Sequence, residues 1–283
     1  MKLIALDMDG TVLTTDKKVT PATIDAIAKA KEAGHIVMIC SGRAHDALTS
    51  FLKANNLANL PISGSNGAAT WVDGKIIHQV AMAKPIVASI FNWLDQNLYP
   101  FKVYTSKGIF AKSNYLTLAE QAILANEAKA KENQLAIANN LAYEQNNPAI
   151  IINSFSELAT APDIEIFKLF ALTVETEKKQ ALREFLATFT KITVTSSYPT
   201  NVEIMAFDGH KATGLTQVAN YYNIPLEDTV AIGDNFNDLP MLEIAGLSIA
   251  MANAEAEVKE ICDVITKSND EDGVAHAIKT YVL

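Results

Sequence analysis

The chain has 283 residues, 49% of them hydrophobic and 19% charged, and carries a formal net charge of −9. That length suits two domains better than one. The acidic balance argues against a nucleic-acid binder, which would need a basic face, but it leaves room for a small phosphorylated metabolite, because salt screens distant charge within about 8 Å and local cations then decide. Cys40 and Cys262 suggest no disulfide framework and are expected as buried thiols. The apolar run behind Met1-Lys2 is too short for a signal peptide, and no window approaches the roughly 18 apolar residues of a membrane span, so no membrane contact and a cytoplasmic setting are expected.

Leu3 to Leu6 form an unbroken apolar run, the pattern of a strand buried on both faces of a parallel sheet. The run stops at Asp7-Met8-Asp9-Gly10-Thr11. Gly10 permits a tight turn, which places Asp7 and Asp9 at the carboxyl end of the strand, where open α/β sheets hold their ligands. Asp and Gly also serve as plain caps in strand-to-helix loops, but the preceding strand and the following Gly-Thr make the pattern more specific. Thr20-Pro21 predicts a helix start and Gly34 its end, with Ile24, Ile27 and Ala28 as the apolar stripe. His35 to Cys40 read as a second buried strand ending in Ser41-Gly42-Arg43, so a strand-helix-strand crossover sets two strand ends side by side. A helix around Ala47, Leu48, Phe51 and Leu52 leads to Pro61-Ile62-Ser63, closed by Gly64-Ser65-Asn66-Gly67-Ala68.

From Lys84-Pro85 the rhythm changes. Val87, Ile90, Phe91 and Leu94 mark a helix, and Phe101 to Thr105 with Gly108 to Lys112 predict a hairpin around Ser106-Lys107. Thr117 to Glu144, rich in Ala, Glu, Lys and Gln, is expected to be helical. Strands are expected at Ala149 to Ile152, Ile164 to Val174, Ile192 to Thr195 and Val202 to Met205. After Asp208-Gly209-His210 the alternation returns, with a helix from Thr213 to about Tyr222, a strand over Thr229 to Ile232 ending in Gly233-Asp234-Asn235-Phe236-Asn237-Asp238, a strand over Leu247 to Ala250 and a helix from about Gly273. The reading is an α/β core, Rossmann-like, with a parallel sheet and helices on both faces, formed by residues 1–83 and 207–283 and interrupted by an inserted α+β domain over 84–206.

Two acidic strand ends facing one crevice would repel each other unless a cation intervened, and an all-oxygen donor set suits Mg²⁺. Asp234 could instead cap the following helix. Ser41 could offer its hydroxyl to a phosphate beside the backbone N–H groups of Gly42 and Arg43 at a helix start, or be only an N-cap. Lys211 taken alone reads as a solvated surface group.

The order of these motifs changes that reading. Asp7-x-Asp9-Gly10-Thr11, Ser41-Gly42-Arg43, Ser65-Asn66-Gly67-Ala68, Lys211, Gly233-Asp234-x-x-Asn237-Asp238-x-x-Met241, Ala250-Met251-x-Asn253-Ala254 and Asp272-Gly273-Val274 together resemble the haloacid dehalogenase superfamily, in its Cof-type phosphatase branch with a type IIB cap. Ser41 stands where many relatives carry Thr, and Ala212 where they carry Gly. The resemblance implies hydrolysis of phosphate monoesters through an aspartyl-phosphate, with Asp7 as nucleophile and Asp9 as general acid and base. It also implies Mg²⁺ on Asp7, Asp234 and the carbonyl of Asp9, with Asn235 and Asp238 orienting its waters. Ser41, the backbone at Met8 and Gly42, Lys211 and Asn237 would hold the phosphoryl group. The implied substrates are sugar phosphates or similarly small metabolites, with pyridoxal phosphate and flavin mononucleotide as further candidates. The insertion would close as a lid over the crevice, hinged near Ala83-Lys84-Pro85 and Ala206 to Gly209. A phosphomutase of the same superfamily and a non-catalytic metabolite-binding regulator stay open as alternatives, and the oligomeric state is not legible.

Overall fold

The computed structural model describes residues 1–125, 131 and 148–283. The chain divides into two compact units, Met1–Gln79 with His210–Leu283, and Val80–Gly209. The first boundary falls before Val80 rather than after Ala83, because Met82 is buried in the second unit's core and its N–H donates to Ile166 O at 2.8 Å. The second falls after Gly209 rather than after Ala206, the Gly209 N–H donating back to Ala206 O at 2.8 Å.

The first unit opens with β1 (Leu3–Asp7), α1 (Pro21–Glu32), β2 (Ile36–Cys40), α2 (His45–Ala54), β3 (Ile62–Gly64), β4 (Ala69–Val72) and β5 (Lys75–Gln79). Helix α1 starts where its cap residues require: Thr20 accepts from the Thr23 N–H, Pro21 sits in the first turn, and Gly34 follows the end at φ +84°.

The second unit contains α3 (Lys84–Gln96), β6 (Phe101–Thr105), β7 (Gly108–Lys112), α4 (Tyr115–Leu124), β8 (Ile150–Ile152), α5 (Ser156–Thr160), β9 (Ile166–Leu172), α6 (Thr176–Leu186), β10 (Ile192–Thr195) and β11 (Asn201–Ala206). The expected hairpin is formed by β6 and β7. Of the expected helix over 117–144, residues 117–125 and 131 lie inside the described residues, and α4 covers them as far as Leu124. The strands run in the order β10-β11-β9-β6-β7-β8, antiparallel except for β7 with β8. Val103, Leu169 and Ile204 from this sheet join Ile90, Leu94 and Leu182 from the helices in a core of their own. The alternate residues carry a buried ion pair, Lys168 Nζ to Glu203 Oε1 at 2.8 Å, with Lys168 over the Tyr104 ring.

The chain then returns to the first unit through α7 (Lys211–Tyr221), β12 (Thr229–Gly233), α8 (Leu239–Ile244), β13 (Leu247–Ala250), α9 (Ala256–Ile261), β14 (Val264–Ile265) and α10 (Gly273–Tyr281). Its strand order is β14-β13-β12-β1-β2-β3-β4-β5. Pairing is parallel from β14 through β3 and antiparallel at β4 and β5, so the sheet expected to be parallel is mixed. The added strands form a hairpin around Asp73-Gly74, with Gly74 at φ +71°. Helices cover both faces, α1 packing with α10 and α7 with α8.

The central strands are held hardest. Ile4, Leu6, Val37, Ile39, Val230 and Ile232 are at most 1% exposed, and each such burial contributes roughly 1.5–3 kcal/mol. Cys40 is buried on β2, whereas Cys262, just past the end of α9, is only partly buried, contrary to expectation. Among the described residues no helix is long and apolar enough to cross a membrane.

Candidate active site

Because β1 lies between β12 and β2, the three loops leaving their carboxyl ends are neighbours. Register sets Asp7 beside Cys40 and Leu6 beside Ile232, so Asp7, Gly233-Asp234 and Ser41 emerge at one level. This is also where the chain order reverses across the sheet, the usual ligand position in such folds.

One carboxylate oxygen from each of Asp7, Asp234 and Asp238 lies within 4.8 Å of the other two. Lys211 is fully buried among them, its Nζ donating to Asp7 Oδ1 and, at 2.5 Å, to Asp238 Oδ1. It is therefore no solvated surface lysine. It opens α7, and that helix approaches β3 closely because residue 214 is glycine: a Cβ there would lie 1.9 Å from Ser63 Oγ.

Asp238 Oδ2 accepts from the N–H groups of Asp234 at 2.9 Å and Asn235 at 3.0 Å, which closes the loop after β12. Asp238, not Asp234, stands at the start of α8. Asp234 Oδ1 instead accepts from Thr11 Oγ1 at 2.9 Å. Among the described residues no donor reaches Asp7 Oδ2 or Asp234 Oδ2. Gly10, at φ +93°, is required beside them, since a Cβ would sit 2.3 Å from Asp234 Oδ2.

Burial pushes the Asp7 carboxyl up to about 6, with Asp238 adding repulsion and Lys211 opposing it. Burial, then Asp7 and Asp238, raise Asp234 well above the ordinary carboxylate range. Burial would depress Lys211, but Asp238 and Asp7 outweigh it and hold the ammonium charged. Crowded, desolvated carboxylates with two unfilled oxygens form the hard all-oxygen donor set that a divalent cation stabilises. The residues fit such an ion.

Asp9 has a different environment. Arg43 grips it in a fork, Nε to Oδ2 at 2.8 Å and Nη2 to Oδ1 at 2.7 Å, and Lys17 Nζ adds a contact to Oδ1 at 3.0 Å. Burial alone would raise its carboxyl, yet Arg43 and Lys17 hold it below the usual range and therefore ionised.

Ser41 Oγ accepts from the Arg43 N–H at 3.2 Å, and α2 begins only at His45 with Ala44 as its cap. Ser41 is thus no helix cap, and the Arg43 N–H expected to be open to a phosphate is already taken. The β2–β3 pairing and two backbone bonds, Asn66 N–H to Ser41 O at 2.9 Å and Ser65 N–H to Arg43 O at 2.8 Å, bring the third loop alongside. There Asn237 Nδ2 donates to Asn66 Oδ1 at 3.2 Å. Asn235 Oδ1 accepts from the Phe236 N–H at 2.8 Å, and Met8 is buried next to the site.

No side-chain role for Thr11, Lys17, Arg43 or Asn66 was expected from the sequence. Three of the four lie in quoted motifs. The parallel register of Asp7 with Cys40 could have flagged Arg43, three residues past Cys40, as a neighbour of Asp9, two residues past Asp7. Lys17 had no local signal at all.

Residues 4–278 match the model of the haloacid dehalogenase-like hydrolases. Phosphatase YwpJ of Bacillus subtilis strain 168 is 32% identical over 283 residues, covering 99% of each chain. The 5-amino-6-(5-phospho-D-ribitylamino)uracil phosphatase YwtE of the same organism is 32% identical over 292 residues, covering 98% of this chain and 97% of its own. A solved haloacid dehalogenase-like hydrolase from B. subtilis superposes with a TM-score of 0.88 at 31% identity, covering 100% of both chains. A subclass IIB sugar phosphatase shares the fold with a TM-score of 0.80 at 23% identity, covering 99% of both chains. With motifs, fold and whole-length similarity in agreement, this chain belongs to the haloacid dehalogenase-like hydrolase family.

Proposed function

We propose that the protein is a Mg²⁺-dependent phosphatase that hydrolyses small phosphate monoesters, sugar phosphates foremost, through an aspartyl-phosphate on Asp7. The observation that carries this reading is the set of three carboxylates, Asp7, Asp234 and Asp238, converging around a buried lysine at adjacent strand ends. Such a set is costly to bury unless a cation and an anionic ligand complete it. The B. subtilis relative named for a phosphoribitylamino compound adds a phosphorylated polyol to the candidate substrates.

In this reading Asp7 Oδ2, the oxygen Lys211 does not hold, attacks phosphorus in line, and the ester oxygen departs with its electron pair. Lys211, Ser41, Asn237 and the backbone at Met8 and Gly42 grip the phosphoryl oxygens, offsetting the acidic surroundings. Asp9 gives a proton to the departing oxygen and takes one from the water that cleaves the intermediate. Held ionised by Arg43 and Lys17, it is set for the second of these duties, so esters whose alcohol departs without a proton should react fastest. Asp7, Asp234 and the Asp9 carbonyl would hold the ion, with Asn235 and Asp238 orienting its waters, and what it supplies when bound is positive charge against these carboxylates and the phosphoryl group. The inserted unit is proposed to choose among esters.

The test is phosphate release from an aryl phosphate and a panel of sugar phosphates, with Mg²⁺ or with chelator, in wild type and Asp7→Asn. Turnover that needs Mg²⁺ and falls by about 10⁴-fold or more in the variant is expected. Turnover that survives the substitution would overturn the assignment.

A further inference from the structure

We infer that Lys17 and Arg43 are positioning residues for Asp9 and that they leave Oδ2 as the oxygen through which Asp9 handles the proton. The inference rests on the role given to Asp9 above. An ionised carboxylate offers about four acceptor positions, two on each oxygen. Arg43 fills one on each oxygen and Lys17 a second on Oδ1. Among the described residues, the remaining position is on Oδ2.

Lys17 is not a side chain that merely drifts near an acid. It sits at φ +60°, a backbone conformation that favours glycine, in a turn closed by Lys17 N–H to Thr14 O and Thr14 N–H to Lys18 O, each 2.9 Å. Such a conformation persists where the surroundings hold it, and here a strap from the far end of the chain does so. Asp270 accepts from the Thr15 N–H at 2.8 Å and from Thr15 Oγ1 at 2.7 Å. Asn269 Nδ2 donates to Leu13 O at 2.8 Å. Asn253 links strap and loop, donating to Gly10 O at 2.9 Å while its Oδ1 accepts from the Asn269 N–H at 2.9 Å. This gives a purpose to the Ala250-Met251-x-Asn253-Ala254 motif, to which the reaction itself assigns none.

The step affected is cleavage of the intermediate. The water oxygen bonds to phosphorus, the bond from phosphorus to the Asp7 oxygen breaks with its electron pair returning to the carboxylate, and the proton of water passes to Asp9 Oδ2. A nitrophenyl ester separates this step from the first, because nitrophenolate departs without a proton.

The experiment is rapid mixing of Mg²⁺-loaded wild type, Lys17→Met, Lys17→Arg and Asn253→Ala with 4-nitrophenyl phosphate, following nitrophenol through the burst and the steady state. Lys17→Met should slow the steady state about tenfold, a fraction of what a whole acid-base group contributes. Its burst rate should stay within about twofold of wild type. Lys17→Arg should restore the steady state, and Asn253→Ala, which touches Lys17 only through the loop, should show the same partition more weakly. Burst and steady state slowing together in both Lys17→Met and Asn253→Ala would mark a merely structural role and overturn the inference, as would no change in either. A wild type inert toward both the aryl ester and sugar phosphates would sink the phosphatase reading, and the inference with it.

Discussion

Asp7 and Asp234 are destabilising neighbours in the absence of a cation, and increasingly so as pH rises. The Asp7 carboxyl is raised from 3.8 to about 6 in the folded chain. A raised group contributes stability that is fully present below its unfolded value and is lost as pH rises through its folded value. Asp234 moves in the same direction. Metal-free protein should therefore lose stability from both groups as pH rises above about 4, the Asp7 part being lost as pH passes about 6. Asp9 works the other way, contributing stability at neutral pH that is lost only in acid. Comparing melting temperatures with and without Mg²⁺ isolates the first effect: the shift on adding Mg²⁺ should be near zero at pH 4 and grow steadily to pH 7. A shift that does not vary with pH would mean that these carboxylates are not where the ion binds.

At the scale of elements, the strands that carry chemistry were legible because each is a short apolar run ending abruptly in acids. β1 and β12 needed nothing more, and the neighbouring loops followed from crossover spacing. The β4–β5 hairpin was missed although Asp73-Gly74 is a sound turn signal, because Lys75–Gln79 alternates weakly and is largely solvent-facing. Helix α6 was missed because Thr176–Leu186 is mostly polar and buries only Leu182 and Leu186. Of the clamp on Asp9, Arg43 was within reach of the crossover argument, which sets its loop beside that of Asp9, whereas Lys17 was not, because no strand register ties its turn to the site. Close approach of α7 to β3 was likewise invisible, yet it sets Lys211. Gly214→Ala would stabilise an exposed helix; here it should destabilise by about 1–3 kcal/mol and lower kcat, because the helix must move off Ser63. Adding Ser63→Gly should recover part of both losses, and a neutral single variant would show that the helix is not held at this distance.

Across the whole molecule, the described residues form two hydrophobic cores, and the acidic cluster belongs to the unit of the first. Its two tryptophans divide in the same way: Trp71, stacked on His45 at 4.1 Å, is in the first unit, and Trp93, stacked on Phe185 at 4.6 Å, is in the second. Trp93→Phe and Trp71→Phe thus give single reporters of each unit. In thermal unfolding followed by fluorescence, Mg²⁺ should raise the transition seen by Trp71 and leave that seen by Trp93 in place. Equal shifts in both would show that the units unfold as one cooperative body.

Phosphorylation of Asp7 is tested by chemical trapping. Enzyme turning over an aryl phosphate with Mg²⁺ would be quenched, treated with borohydride to reduce any acyl phosphate, and mapped by mass spectrometry. Reduction of the Asp7 carboxyl to an alcohol is expected, dependent on both substrate and Mg²⁺. Turnover accompanied by reduction at a different carboxylate, or by none, would contradict it.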